Sequence, residues 1–392
     1  MAVAAGATAG GLATLSMKNA LDIFNTAVGI VGLGFTIADH LPHGGPQTPA
    51  TMVRIAAGQS ANIDSSNLHG NQPGLGIYDH YGRQIGSRGG SDNKILDASF
   101  LDIQVDPNDH GNTAPAEYLQ VIAGGNDALC ISYIATTLAD GRQHAWWGDV
   151  GKACGAAWHY SSLTVGASDG EDYQPTCTWI DGDNVYPNGM GIRLPDFSGS
   201  PDRVGQLANQ FSNHPEYICK STPRFRMYQH MNGHDVLPYF DYDDNNATFK
   251  DPAAAMDKSH WKINVEGPNV NSQTILQDYV PAPGSVKRSL GQALSRRSGV
   301  LSTVIISGSA QHSAKELCDS ETSWGHDFVS LKEKMFCDME SKILWHICDG
   351  ETTNGCFDVE ERVMKASRGI RRRGTKTGTV PPVKSYMKTM RW

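Results

Sequence analysis

The sequence predicts a mainly β protein: a β-sandwich or jelly-roll-like domain with an N-terminal apolar helix and a C-terminal disulfide-linked helical module. Glycine occurs 42 times in 392 residues, which favours turns and short strands over long helices. From residue 52 the apolar residues recur with a period of two, as they do in half-buried strands. The eight cysteines include no Cys-x-x-Cys pair, which favours disulfide bonds over a zinc site.

The first 40 residues form an apolar segment that we expect to be helical. Residues 1–17 lack a positive charge, so they make a poor signal peptide. Residues 19–39 predict a buried or interfacial helix, because their apolar part of about twelve residues is too short to span a bilayer. Small residues and Phe also suit a membrane surface, so membrane contact through residues 19–39 is an open alternative.

A β domain is predicted over residues 52–198. Clusters of Gly, Asn, Asp and Pro interrupt the apolar alternation at intervals that are typical of a sandwich. We expect its strands at residues 52–56, 76–81, 99–105, 117–122, 128–137, 144–148, 156–165, 177–181 and 189–194.

Two less regular regions follow the β domain. Residues 199–280 are a mixed extension that starts with a short helix at residues 200–211, which a Ser-Pro pair would begin. Residues 281–300 are a linker with two dibasic pairs. Arg288 and Arg297 end these pairs and are candidate processing sites, although both pairs can equally be ordinary surface residues.

The C-terminal part is expected to be helical. Residues 301–368 are predicted to form a helical cysteine module, since apolar residues recur every three or four positions in residues 332–347 and 357–367. Residues 369–392 contain several Lys and Arg residues and no Asp or Glu. Residues 369–392 are therefore predicted to be a basic tail, whose aromatic and Met residues could dock on a surface.

All eight cysteines are candidates for disulfide bonds. Their spacing alone does not fix which pairs form. They are Cys130, Cys154, Cys177, Cys219, Cys318, Cys337, Cys348 and Cys356.

Residues 144–197, called the aromatic stretch below, contain four of the eight tryptophans. Their rings could stack on a sugar or a partner, but Trp and Tyr also build rigid cores. Strand alternation would send Trp146 and Trp147 to opposite faces, so some of these rings must be buried. The candidates for ligand contact are Trp146, Trp147, Asp149, Trp158, Tyr160, Trp179, Asp181 and Asp183.

Catalytic groups are less clearly indicated. His144 or His159 with Asp149 or Asp181 could perform acid–base chemistry, and paired carboxylates on an aromatic surface would suit a glycosidase. Nothing in the sequence fixes how far apart these groups lie in space. We therefore expect a protein without enzymatic activity rather than an enzyme.

Three acidic loops could hold a calcium ion, at residues 106–112, 181–184 and 241–245, and the last is the first candidate because its negative charge most needs a counter-ion. Asp241, Asp243 and Asp244 lie close together in sequence, and carboxylate oxygens are the ligands that Ca²⁺ prefers. The same residue types are common in ordinary turns. No other cofactor is expected. Asn246 begins an Asn-Ala-Thr sequon and is a candidate for N-glycosylation.

Two groups of motifs stand out in the sequence. The first is Trp147-Gly148-Asp149-Val150-Gly151, Cys154-Gly155, Trp158 and Cys177-x-Trp179-Ile180-Asp181. The second is Asp327-Phe328-Val329-Ser330, Phe336-Cys337-Asp338-Met339, Leu344-Trp345, Cys348 and Cys356-Phe357-Asp358. Both resemble a family of uncharacterised, often secreted, cysteine-containing proteins of filamentous fungi, over roughly residues 75–200 and 300–360. The resemblance implies an extracellular location, and it carries no assigned activity or catalytic residue.

The sequence therefore predicts a secreted, non-enzymatic protein that binds a ligand or assembles with itself as a homo-oligomer or polymer. Carbohydrate or a cell surface is the expected ligand class. The formal net charge of −8 argues against nucleic acid as a partner. Two alternatives are a membrane-active toxin or effector that uses residues 19–39, and a hydrolase of cell-wall carbohydrate.

Overall fold

A computed structural model gives the structure of most of the chain from residue 50 onward. The predicted apolar helix at residues 19–39 lies outside the described residues, as does the linker at residues 281–300 with Arg288 and Arg297. The described residues are 50–58, 68–96, 99–108, 114–166, 172–183, 186–231, 237–246, 248–249, 261–263, 276–278, 303–365 and 384–392.

The protein is mainly β, as the sequence predicts. Turn residues at short intervals limit the strands to between two and nine residues. In chain order the first strands are β1 (Thr51–Ala57), β2 (Gly70–Gln72), β3 (Gly74–Asp79), β4 (Gln84–Arg88), β5 (Ser91–Ile95), β6 (Phe100–Val105), β7 (Ala116–Ile122), β8 (Leu129–Thr137), β9 (Gln143–Trp147), β10 (Trp158–His159), β11 (Val165–Gly166), β12 (Asp172–Tyr173), β13 (Cys177–Ile180) and β14 (Gly189–Arg193).

The later strands are shorter on average than the first fourteen. They come after the helical segments that follow β14. These strands are β15 (Phe225–Met231), β16 (Pro238–Phe240), β17 (Tyr242–Asp243), β18 (Thr248–Phe249), β19 (Trp261–Ile263), β20 (Leu276–Asp278), β21 (Thr303–Ser307), β22 (Asp327–Ser330), β23 (Met335–Asp338), β24 (Ile343–His346), β25 (Cys356–Asp358), β26 (Val363–Lys365) and β27 (Lys388–Arg391).

Among the residues that the structure describes, helical segments are few and short. The predicted helix after the β domain is present, with Ser200 as its extended N-cap residue and a proline in its first turn. No helix in the described ranges is long and apolar enough to cross a membrane. The helical segments are α1 (Gly148–Ala153), a 3-10 turn (Leu194–Phe197), α2 (Pro201–Asn213), α3 (Glu216–Cys219) and α4 (Ala314–Asp319).

Two six-stranded sheets form what we call the body. The first has the order β10-β13-β8-β1-β6 with β9 also paired to β8, and the second has the order β20-β15-β14-β7-β3-β4. One apolar cluster draws on both sheets, with Val53 and Ile131 from the first and Leu119 and Ile192 from the second. Because β15 pairs with β14, the body continues beyond the predicted boundary at residue 198.

The C-terminal cysteine module, residues 303–365 and 384–392, is a β structure, so the prediction of a helical module is wrong. Its sheet has the order β24-β23-β22-β21-β27, and β25 and β26 form a separate hairpin. Strand β21 pairs in parallel with β22 and β27. The one helix in the described part of this module is α4.

Three tight turns explain this error. Each turn connects two strands of a hairpin and ends on a basic residue with a positive φ between 55 and 58°. The turns contain Glu, Lys, Met and Leu, which are strong helix formers. Their recurrence therefore imitates a helical repeat in the sequence. The turns are residues 331–334, 339–342 and 359–362, which end on Lys334, Lys342 and Arg362.

Two of these turns also carry a residue that resembles a helix cap. Asp338 Oδ1 accepts hydrogen bonds from the backbone N–H groups of Glu340 and Ser341 at 3.1 and 3.3 Å. Asp358 Oδ1 accepts the equivalent bonds from the second and third residues after it, at 3.0 and 2.8 Å. A helix N-cap makes bonds of this kind. The sequence therefore contains local helix signals that the hairpins use for turns.

The last nine residues are not a free basic tail, which corrects the prediction for this part of residues 369–392. Strand β27 pairs in parallel with β21, and Met390 lies opposite Ile305. Tyr386 and Met390 are buried. Their apolar area provides the free energy that holds this segment against the module.

All eight cysteines form disulfide bonds, as predicted. Two bonds lie in the body and two in the C-terminal module. Cross-links of this kind stabilise a fold chiefly by restricting the unfolded chain, and they are compatible with an extracellular protein. The pairs are Cys130–Cys177, Cys154–Cys219, Cys318–Cys337 and Cys348–Cys356.

Candidate functional site

The rings of the aromatic stretch are core residues, which corrects the expectation that they contact a ligand. Each ring is at most 2% exposed and therefore offers no face to a molecule in solution. Burial of such large side chains makes a major contribution to stability. The rings concerned are those of Trp146, Trp147, Trp158, Tyr160 and Trp179.

Trp158 joins the body to the C-terminal module through backbone and side-chain hydrogen bonds. Its N–H donates to the carbonyl of Thr322 at 3.2 Å, and its own carbonyl accepts from the N–H of Trp324 at 2.7 Å. Its indole Nε1 donates to Ser320 Oγ at 3.0 Å. Through the two backbone bonds, Trp158 of β10 forms an isolated parallel β-bridge with Ser323, in the loop before β22.

Trp179 makes a second connection to the same loop. Its indole Nε1 donates to the carbonyl of Trp324 at 3.1 Å. The Trp324 ring meets Trp179 and Tyr186 edge-on, with centroids 5.5 and 4.5 Å apart. These rings pack with the Cys130–Cys177 disulfide in one buried cluster. The aromatic stretch is therefore the joint between body and module.

Two of the predicted carboxylates of the aromatic stretch accept hydrogen bonds from other residues of that stretch. Asp149 is buried in α1 and accepts a hydrogen bond from Thr176 Oγ1 at 3.1 Å, and burial raises its pKa to about 6. Asp181 is also buried, and its Oδ1 accepts the N–H of half-buried Asp183 at 3.4 Å. These contacts lie within the aromatic stretch and leave Asp183 the most accessible of the three.

The two predicted acid–base histidines are buried in different surroundings. Burial lowers the pKa of His144 to about 4 and that of His159 to about 3. His159 Nδ1 lies 3.0 Å from the carbonyl oxygen of Tyr160. His144 lies in β9 at an isolated bridge to Ser198. The structure therefore does not assemble the predicted His–Asp pairs within the described part of the chain.

An open polar depression, called the end-loop depression below, lies at the end of the body where β8 begins. The ribbon formed by β2 and β5 provides one wall, and the loop between β7 and β8 provides the other. The depression is wide open to solvent and has a volume of about 580 Å³. Its lining residues are Asn71, Asp92, Lys94, Gly125, Asn126 and Asp127.

The two walls are held together by reciprocal hydrogen bonds. Asn71 N–H donates to the carbonyl of Asp127 at 3.1 Å, and Asp127 N–H donates to Asn71 Oδ1 at 2.9 Å. Lys94 Nζ lies 2.6 Å from Asp127 Oδ2. Gly182, from the aromatic stretch, donates its N–H to the carbonyl of Gly125 at 3.0 Å. The joint and the depression therefore share one rigid framework.

Close backbone contacts explain the glycines of this region. A Cβ on Gly124 would lie 1.8 Å from the carbonyl oxygen of Gln72, and one on Gly182 would lie 2.5 Å from that of Gly125. Both distances are far shorter than real Cβ contacts. Glycine is therefore required for the loops to approach each other.

The sequence analysis did not identify the lining residues of the end-loop depression as a site. The run Gly124-Gly125-Asn126-Asp127 has the composition of an ordinary turn, because Asn and Asp favour turns. Asn71 and Asp127 are separated by 56 positions in the chain. The density of Asn, Asp and Gly in both loops was the available signal, but it could not show that the two loops meet.

The depression offers hydrogen-bonding groups of several kinds. Asp92 and Asn126 are exposed at its rim. A carboxylate accepts, an ammonium donates, and an amide does both. The described residues contain no group of three His, Cys, Asp or Glu side chains that could hold a metal ion. The arrangement therefore suits a polar ligand bound through hydrogen bonds.

The acidic loop that was predicted to hold calcium lies apart from this depression. Asp243 accepts hydrogen bonds from Asn245 N–H at 3.0 Å and from Asn246 Nδ2 at 2.8 Å. Asp244 accepts a hydrogen bond from the Tyr81 hydroxyl. Calcium at Asp241, Asp243 and Asp244 stays a prediction. Asn246 is exposed, and its glycosylation likewise stays a prediction.

Comparison with known proteins supplies no relative for this chain. No protein-family model matches the sequence. No curated protein matches it either. The function must therefore be argued from the arrangement of the residues themselves.

Proposed function

We propose that this chain is an extracellular, non-enzymatic binding protein whose end-loop depression binds a carbohydrate, such as one on a cell surface. The observation that carries the proposal is the convergence of Asp92, Lys94, Asn126 and Asp127 on one open, rigid surface. Sugar hydroxyls both donate and accept hydrogen bonds, so a mixture of carboxylate, ammonium and amide groups complements them.

Rigidity supports a binding role. Because the backbone bonds between Asn71 and Asp127 already fix the walls, little conformational entropy would be lost when a ligand binds. The apolar cluster shared by the two six-stranded sheets leads us to propose the predicted sandwich packing as the scaffold. The four disulfide bonds support the extracellular setting.

An array of immobilised polysaccharides tests the proposal. The wild type should bind at least one polysaccharide, and the double variant Asp92→Ala/Asn126→Ala should bind it about thirtyfold more weakly, because two hydrogen bonds of roughly 1 kcal/mol each would be lost. The control is Asp140→Ala. Asp140 is exposed in the turn between β8 and β9, at the opposite end of β8 from the depression.

Two outcomes would reject the carbohydrate proposal. The first is a wild type that binds no member of a broad panel. The second is a double variant that retains wild-type affinity, which would place the binding surface elsewhere. If Asp140→Ala weakens binding as strongly as the double variant does, the effect is not local to the depression.

A second proposal, self-assembly, rests on an apolar sheet edge. Strand β6 ends the order of the first sheet, and edge strands readily pair with other chains. Leu96 and Phe100 are 55% and 51% exposed beside it, and Arg54 stacks on the Phe100 ring at 3.8 Å. We propose that a second copy of the chain covers this edge and buries both side chains.

Sedimentation velocity tests the self-assembly proposal. The wild type should form oligomers that dissociate in the variant Leu96→Ser/Phe100→Ser, because the apolar area buried between copies would be lost. The matched control is Met387→Ser, which changes an exposed apolar residue that is 82% accessible in the C-terminal module. A wild type that stays monomeric at high concentration would refute the proposal.

A further inference from the structure

Lys384 lies between two buried carboxylates of the C-terminal module. Its Nζ is 2.9 Å from Asp327 Oδ2 and 2.5 Å from Asp338 Oδ1. The side chains of Lys384, Asp327 and Asp338 are 13%, 7% and 2% exposed. Burial of such charges has a high desolvation cost, and their attraction often repays only part of it. The proposed functions require none of these groups.

The hydrogen bonds around Asp327 distinguish its two oxygens. Oδ1 accepts the backbone N–H of Met339 at 2.6 Å. Oδ2 accepts the hydroxyl of Tyr386 at 2.5 Å in addition to Lys384 Nζ. The Tyr386 ring belongs to an apolar cluster that also contains Phe336 and Phe357. This cluster separates Asp327 from bulk water on the side of the tyrosine.

Asp338 is held in a different way. Its Oδ2 accepts the hydroxyl of Ser341 at 2.8 Å, and its Oδ1 accepts the turn N–H groups of Glu340 and Ser341. Hydrogen bonds of this kind stabilise the charged form of a carboxyl group. Asp338 is therefore suited to remain a carboxylate and to act as a proton acceptor.

Asp327 is the carboxyl group that is suited to carry a proton. Burial raises its pKa, and the charge of Asp338 raises it further, while Lys384 lowers it. Burial lowers the pKa of Lys384, but the two carboxylates outweigh that effect and raise it. Lys384 is therefore an ammonium in the resting ion pair, and the reactive neutral amine is the minor form that proton transfer to Asp327 produces without changing the total charge of the cluster.

We propose that Lys384 and Asp327 become joined by an isopeptide bond between Nζ and Cγ. The geometry carries this proposal, because a nitrogen that donates to a carboxylate oxygen at 2.9 Å is already close to the carboxyl carbon. Reacting atoms that a fold holds about 3–3.5 Å apart react far faster than free molecules.

The reaction is a condensation that needs no oxidant or cofactor. The Lys384 ammonium transfers one proton to Asp327 Oδ2, which gives an amine and a carboxylic acid. The nitrogen lone pair attacks Cγ and forms the N–C bond. Asp338 accepts a second proton from the nitrogen and returns it to Oδ2, whose bond to Cγ breaks. The products are one secondary amide and one water molecule, and Asp338 is regenerated as a carboxylate.

The surrounding donors fit these roles. Met339 N–H points at Oδ1, where negative charge develops when the nitrogen attacks. Fixed donors of this kind stabilise such charge effectively in a water-poor site. The Tyr386 hydroxyl donates to Oδ2, which is the oxygen that leaves as water.

The bond would add a cross-link that reducing agents cannot open. It would join the start of β22 to the segment before β27, two positions that lie 57 apart in the chain. None of the four disulfides includes the segment that holds β27. The isopeptide bond would therefore anchor the parallel pairing of β21 and β27 covalently.

Mass spectrometry of the intact, reduced and denatured wild-type chain tests the proposal. The expected mass is one water molecule lower than the sequence requires. A tryptic digest should contain a branched peptide that joins residues 316–332 to residues 377–388, because trypsin cannot cut after an acylated Lys384. A chain with its full mass would overturn the proposal.

A cyclised aspartate would also remove one water, and the digest distinguishes the two products. Cleavage after Lys384 together with a dehydrated linear peptide would overturn the isopeptide bond. Lys384→Arg keeps the charge but should restore the full mass, and Asp338→Asn should do the same because the proton acceptor is lost. The matched control Lys388→Arg should remain one water lighter. The wild-type measurement decides the matter even if a variant fails to fold.

Discussion

Three buried histidines have pKa values well below the ordinary value for histidine. Burial lowers the pKa of His144 to about 4, that of His159 to about 3 and that of His312 to about 4. His312 is held by a contact of 2.8 Å between its Nδ1 and Ser307 Oγ. Each ring is therefore neutral in the folded protein at a pH where the unfolded chain would begin to bind a proton.

This difference predicts that the protein loses stability in mild acid. Between pH 6.5 and 5 the unfolded chain binds protons that the folded chain excludes, and each histidine should cost about 1.5 kcal/mol of unfolding free energy over that interval. The loss continues until pH falls to the folded pKa values near 4. Asp149 acts in the opposite direction, because its raised pKa of about 6 favours the folded state as pH falls. Urea unfolding at several pH values measures how the unfolding free energy changes with pH, which is the sum of these opposing effects.

Replacement of one histidine assigns the effect. His312→Gln should reduce the pH slope of unfolding free energy, even if it lowers stability at neutral pH. His346→Gln is the control, because His346 is exposed in β24. Equal slopes for the wild type and His312→Gln would show that this buried histidine does not cause the acid sensitivity.

Among the structural elements, the three hairpin turns of the C-terminal module depend most clearly on backbone conformation. Arg362 ends its turn with a φ of 58°, which costs about 1–2 kcal/mol for a residue with a Cβ. Arg362 already bears this cost, so Arg362→Ile should destabilise the protein only by the additional cost of a β-branched side chain, which fits this conformation worst. Arg362→Gly should not, because glycine adopts it freely. Thermal unfolding measures the stability of both variants. An equal loss of stability in Arg362→Ile and Arg362→Gly would contradict the positive φ at this position.

The elements that the sequence predicts correctly are those that local signals define. Alternation and turn residues locate β1, β7 and β8 within one or two positions, and a Ser-Pro pair locates the start of α2. The sequence predicts helices where the C-terminal hairpins lie, because apolar residues recur every three or four positions in residues 332–347 and 357–367. Only tertiary pairing, such as that between β21 and β27, distinguishes the two outcomes.

The candidate site was less predictable than the strands. Each lining residue of the end-loop depression is of a type that ordinary turns use, so no single loop indicates a surface. The depression exists because Asn71 and Asp127 bond to each other across distant parts of the chain. The tryptophans gave the stronger signal in the sequence, but their rings belong to the buried joint.

At the scale of the whole molecule, the aromatic stretch makes the body and the C-terminal module one unit. Trp324→Ala should remove the edge contacts with Trp179 and Tyr186 and cost about 3–5 kcal/mol, as other buried Trp→Ala changes do. In calorimetry we expect one unfolding transition for the wild type and two for Trp324→Ala. The control Leu331→Ala, which changes an exposed residue of the module, should keep one transition. A single transition for Trp324→Ala would show that the joint does not couple the two parts.

The central claim is that the end-loop depression is the surface that binds carbohydrate. Hydrogen–deuterium exchange with and without a saturating polysaccharide from the array tests it most directly. The account predicts slower amide exchange in residues 91–95 and 123–128, which form the two walls, and unchanged exchange in the opposite turn at residues 138–142. Protection confined to any other surface, or no protection at all, would contradict the claim.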